Sequence, residues 1–124
     1  MAKNTSVTSA SGADLESLTK QNNIVFVDFW ATWCAPCRQF GVVFEQVAAK
    51  HQDIIFAKVN IEEEQALAET FYIQSIPHLM VFKQGVVIYS EAGSMPESGL
   101  EELVQQAVSA DVTKILDEID KEAQ

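Results

Sequence analysis

The stretch Phe26-Val-Asp-Phe-Trp-Ala-Thr-Trp-Cys-Ala-Pro-Cys-Arg38 constrains the fold more than any other part of this chain. Ile24 to Trp30 is dense in β-branched and aromatic residues, the composition of a strand buried on both faces. From Ala35 the period becomes helical. Phe40, Val43, Phe44, Val47 and Ala48 share one face of a helix that runs to about His51. Ile54 to Ile61 then reads as a second strand. The interval from Trp30 to Ile54 has the length that two parallel strands joined by a helix require. At the junction of strand and helix stand Cys34 and Cys37, so the chain presents a dithiol at a helix start.

The remaining segments extend this unit. Residues 1–11 are mostly polar and read as a frayed or weakly paired lead-in. Ser11 or Gly12 opens a short helix through Leu15 and Leu18 that ends near Gln21-Asn-Asn23. A third helix covers roughly Glu63 to Thr70, with Ala66, Leu67 and Phe71 on its apolar side. Gln74-Ser-Ile-Pro77 breaks the pattern, and His78 to Lys83 begins a strand with proline just ahead of it, where no ladder bond is lost. Lys83-Gln-Gly85 turns that strand into an antiparallel partner, Val86 to Glu91.

A final helix starts near Pro96 and places Leu100, Leu103, Val104, Ala107 and Val108 on one face. Beyond it, Val112, Ile115, Leu116 and Ile119 keep helical spacing among acidic residues. They form either an extension of that helix or a second one capped near Ser109 or Asp111. The stripe either folds back onto the domain or recruits a partner or a second copy. The expected architecture is α/β, a mixed sheet of four to five strands flanked by helices in the order (β)αβαβαββα. One domain spans residues 1–111, and an acidic amphipathic helical tail spans 112–124.

The chain of 124 residues has room for one domain with a real core. A net charge of −10 argues against nucleic-acid and anionic-membrane partners, which reward Lys and Arg on the binding surface. The N-terminus lacks an apolar core of signal-peptide length, and no segment is apolar enough to span a membrane, so the cytoplasm is the expected compartment. In a reducing compartment, two cysteines at this spacing do redox work or bind metal. Zinc wants about four ligands, and His51 and His78 lie on other elements without the spacing of a finger.

Redox chemistry fits better. Thiol–disulfide exchange needs an attacking thiolate and a second thiol within reach. Cys34 at a helix start faces unpaired backbone N–H groups and the positive end of the dipole, both of which favour the anion. Cys37 follows on the same face, and Pro36 suits the first turn, where its missing donor costs nothing. Arg38 adds positive charge nearby.

Asp28 shares a strand face with Phe26 and Trp30, so it is expected to be buried with a raised pKa. It serves either as proton acceptor and donor for Cys37 or as a carboxylate neutralised by hydrogen bonds or a lysine. Lys58, mid-strand between Ala57 and Val59, is either that lysine or a snorkelling surface residue.

The stretch from Phe26 to Arg38 closely resembles the active-site signature of the thioredoxin family, and Ser75-Ile-Pro-His-Leu-Met-Val-Phe-Lys-Gln-Gly85 is similar to its second signature. The resemblance covers about residues 13–110 and implies the thioredoxin fold. Cys34 is then the exposed attacking thiol, Cys37 the buried resolving one, Asp28 the acid beneath them and Lys58 its neighbour. Pro77 is expected to be a cis-proline facing the dithiol. Trp33, Ile76 and Gly93 are expected to line an apolar substrate groove, with Ala35 and Pro36 between the thiols.

The resemblance further implies a cytoplasmic, monomeric electron carrier that reduces protein disulfides and binds no cofactor. It would be re-reduced by a flavin-dependent thioredoxin reductase using NADPH. The alternatives are a thiol oxidant or maturation factor, and a binding module of the same fold acting through its tail. Several residues depart from the family's common pattern. Ala35 stands where Gly is frequent, and Gly41-Val42 where many members have a kinking proline, so that Gly41 serves either a bend or a close approach. Ser75 and His78 replace a frequent Gly and Thr, and His78 is read as structural or solvated.

Overall fold

The computed structural model describes residues 6–122. Its elements are β1 (Val7–Ser9), α1 (Gly12–Gln21), β2 (Ile24–Trp30), α2 (Ala35–Lys50), β3 (Ile55–Asn60), α3 (Gln65–Thr70), β4 (His78–Lys83), β5 (Val86–Ala92), α4 (Glu97–Ser109) and α5 (Thr113–Glu122). They build one five-stranded sheet in the order β1-β3-β2-β4-β5. β1, β3 and β2 run parallel, while β4 is antiparallel to β2 and β5 to β4. This is the mixed, helix-flanked sheet that the sequence predicts.

β2 is the centre, and its alternation divides the core in two. Ile24 and Phe26 face α2 and α4 through Phe40, Phe44, Val47, Leu100 and Val104. Val25, Val27 and Phe29 face α1 and the α3 side through Leu15, Leu67 and Phe71. A period-2 strand between two helical layers leaves neither face for water, which explains why β2 reads as an unbroken apolar run. Asp28 is the exception, 3% exposed in the middle of that run.

Local chemistry sets the boundaries. Ser11 caps α1 and forms a reciprocal pair with Asp14, the Ser11 hydroxyl accepting from Asp14 N–H and the Asp14 carboxylate from Ser11 N–H. Gln84 and Gly85 both adopt left-handed backbone, φ 51° and 81°, as a two-residue hairpin turn requires. Lys83 is buried and donates to the carbonyls of Ala107, Val108 and Ala110 at 2.8, 2.9 and 2.5 Å. The last residue of β4 thus closes the C-terminal end of α4, where unpaired carbonyls favour a cation.

The structure sharpens three expectations that the sequence left open. Within the described part of the lead-in, β1 pairs in register with Val7 to Ser9 against Phe56 to Lys58. Main-chain bonding builds this edge strand, so hydrophobic pattern gives little sign of it. α3 begins at Gln65 because the Asn60 side chain accepts Glu62 N–H and the Asn60 carbonyl accepts from Glu63 and Glu64, forming a turn first. The tail is a separate helix, with Thr113 N–H donating to Asp111. Val112 is buried and Leu116 half-buried, whereas Ile115 and Ile119 are exposed, so burial is confined to part of this stripe.

Candidate active site

The end of β2 and the start of α2 bring the dithiol to one edge of the sheet. Cys34 occupies the N-cap of α2 with extended backbone, and its Sγ accepts the Cys37 N–H at 3.2 Å. An N-cap sulfur therefore takes the place of the usual capping oxygen, which favours negative charge on it once reduced. Cys34 and Cys37 are joined as a disulfide, with Cα atoms 5.2 Å apart.

In this disulfide form Cys34 is 4% and Cys37 3% exposed, so burial does not separate an exposed attacker from a buried resolver. Their surroundings differ. Cys34 Sγ lies 3.8 Å from the Ile76 carbonyl oxygen, on the side of the cis Ile76–Pro77 bond. Cys37 opens instead onto a cleft of about 220 Å³ lined by Asp28, Trp30, Arg38, Gly41, Glu45 and Lys58 among others.

The strand register places Lys58 directly opposite Asp28. Burial pushes the Asp28 carboxyl up to about 7, and the Lys58 charge pulls the other way without cancelling it. Asp28 Oδ1 and Trp30 Nε1 are buried without a hydrogen-bond partner among the described residues. Both residues border the cleft, which is large enough to hold water. Lys58 Nζ lies 5.3 Å from the centre of the Trp30 ring, a cation–π distance.

The rim comes from separated segments. Pro77 is buried and its carbonyl accepts Gly93 N–H at 2.8 Å, which joins the cis-proline loop to the end of β5. Gly93 has φ 114°, a conformation that glycine adopts at little cost. Ile76 packs against Cys34 and Cys37, and Trp33 stands 66% exposed just before the dithiol. Ala35 and Pro36 are exposed on the first turn of α2.

The thioredoxin family model matches residues 6–106. The chain belongs to the thioredoxin family. It is 37% identical to the thioredoxin of Mycoplasma pneumoniae, over 74% of this chain and 90% of that one. It is also 37% identical to the thioredoxin of Rhodospirillum rubrum, over 75% and 90% respectively. Among solved structures, a mutant thioredoxin from Halobacterium salinarum superposes with a TM-score of 0.79 at 27% identity, covering 90% of this chain and 99% of that one. Plasmodium falciparum thioredoxin gives 0.74 at 30% identity, covering 80% and 97%. Family and cysteine pair together make the chain a dithiol–disulfide oxidoreductase.

Within this thioredoxin fold, Cys37, Asp28 and Lys58 border one cleft, and Ile76 packs against Cys34 and Cys37. His78 points elsewhere. Its Nε2 is 2.8 Å from Ser90 Oγ, its ring meets Phe29 edge-on, and burial lowers its pKa. Gly41 has open space where a Cβ would go, so close approach is not its reason. Sequence reasoning missed one part of the rim, in which Arg38 Nη1 donates to the Thr32 carbonyl at 2.9 Å and Thr32 Oγ1 is 3.0 Å from Glu62. Partners 30 residues apart leave no local signal.

Proposed function

We propose that this thioredoxin-family protein works as a reductant of protein disulfides. In its reduced form the Cys34 thiolate attacks one sulfur of a substrate disulfide, forming a mixed disulfide and releasing the other sulfur as a thiolate. Cys37 then attacks Cys34 Sγ, breaking the mixed disulfide. The second substrate thiol leaves and the Cys34–Cys37 bond forms. Two electrons pass to the substrate, whose two sulfurs leave as thiolates and take their protons from solvent.

Asp28 accepts the Cys37 proton through the cleft and returns it during re-reduction, while Lys58 steadies the carboxylate. The reading rests on one observation: Cys37 and Asp28 border the same cleft, and Asp28 has a pKa of about 7, where it exchanges protons at neutral pH. Trp33, Ala35, Pro36, Ile76, Pro77 and Gly93 form the surface that receives the substrate chain. Re-reduction draws on NADPH through a flavin-dependent thioredoxin reductase, in the cytoplasm.

Trapping tests the roles. Cys37→Ser is expected to accumulate mixed disulfides with substrate proteins, and Cys34→Ser is not; equal trapping by both overturns the assignment. A coupled assay with NADPH, thioredoxin reductase and a disulfide substrate tests the direction. A reduction potential well above the cytosolic poise would favour an oxidant. Absence of turnover would favour a binding module acting through α5, whose Ile115 and Ile119 stand exposed.

A further inference from the structure

Tyr72 ends α3 in a conformation that its side chain disfavours. Its backbone N–H donates to the Glu69 carbonyl at 3.1 Å and Ile73 N–H to the Ala68 carbonyl at 2.9 Å, the paired bonds of a left-handed helix stop. That stop sets Tyr72 at φ 55°, where glycine is the favoured residue and a Cβ brings strain. Folding returns nothing for it, because the Tyr72 side chain is 82% exposed. Its neighbours behave otherwise: Phe71 meets Phe29 at a tilt and Phe82 edge-on, and Ile73 packs into the same core. The ring is thus held outward on a segment anchored on both sides. Strain of this kind, kept without a packing gain, points to function.

The location and the charge identify what it meets. Tyr72 lies four residues before Ile76, and four residues of chain span at most about 14 Å. It therefore stands within reach of a chain lying across the Ile76 carbonyl beside Cys34. Between Lys58 and Lys83 the sequence holds Glu62, Glu63, Glu64 and Glu69 and no Lys or Arg. An exposed aromatic ring on a segment whose charged residues at neutral pH are all acidic suits a cation. Building on the exchange reading above, we infer that Tyr72 is a specificity-determining contact for an Arg or Lys side chain within a few residues of the reacting cysteine of a protein substrate.

Synthetic peptides with one intramolecular disulfide test this, with Arg, Leu or Glu placed two to five residues from the reacting cysteine. At fixed ionic strength the native protein is expected to favour the best-placed Arg peptide over its Leu counterpart by about two- to five-fold in kcat/KM, the range of an exposed cation–π contact. Tyr72→Phe keeps this preference. Tyr72→Leu removes it while leaving every charge in place. Tyr72→Gly removes it as well and raises the melting temperature by about 3–6 °C, because the strain is released.

An Arg preference that persists in Tyr72→Leu overturns the inference, as does a native protein that shows none. A Tyr72→Gly protein less stable than the native one overturns it too, since the side chain would then serve the fold. Failure of the native protein to reduce any of the peptides would instead remove the exchange reading on which the contact depends.

Discussion

Asp28 is subject to two opposed forces: burial in β2 favours its neutral form, and Lys58 across the strand pair favours the anion. Burial prevails and sets the carboxyl near 7, against an ordinary value of 3.8. Between those values the folded protein holds a proton that the unfolded chain has released. The stability linked to Asp28 is therefore fully present below about pH 4, falls as pH rises, and levels off above about 7. Asp28→Asn removes this dependence. Its stability advantage over the native protein is expected to be larger at pH 8 than at pH 4, by on the order of 4 kcal/mol. Urea titrations at both pH values check this, and a pH-independent difference would refute it.

Asp28 was also legible in the sequence, since an acid between two large apolar residues on one strand face has nowhere wet to go. Tyr72 was not, because a left-handed backbone at a helix end shows in sequence only when glycine or asparagine marks it.

At the level of elements, α4 depends on a residue from outside it. Its last turn has no basic residue of its own, and the Lys83 ammonium takes that place from the end of β4. Lys83→Met keeps most of the volume but leaves three carbonyls without their donor. It is expected to lower the unfolding free energy by about 2 kcal/mol. A reduced urea midpoint at unchanged slope would register this. Hydrophobic periodicity finds β2, α2, β4 and α4 because each has an apolar side to bury. It marks β1 only as an optional first strand and places the start of α3 too early, because backbone and asparagine hydrogen bonds decide the geometry there.

For the molecule as a whole, the two halves of the candidate site were readable separately, as a cysteine pair and an Ile-Pro about 40 residues later. That they meet follows from β2 and β4 lying side by side, a pairing no local pattern specifies. The cleft beneath Cys37 was not readable at all, since it lies among β1, β2, α2 and β3. The tail stands apart from this assembly, with no buried residue in α5. Removing residues 113–124 while keeping Val112 is expected to shift the melting temperature by less than about 2 °C. A larger loss on calorimetry would show that α5 supports the domain.

The two borders of the sheet carry a further consequence. β1 is only three residues long, and the β4–β5 register is interrupted between Val81 and Phe82, which twists β5 away from a straight template. Both borders are thus poorly shaped to accept a visiting strand. A protein that handles extended, partly unfolded chains runs the risk of being joined by them lengthwise. In the function proposed above, such a chain is met at the short cis-proline loop instead, where only a few main-chain bonds need be undone once the electrons have moved.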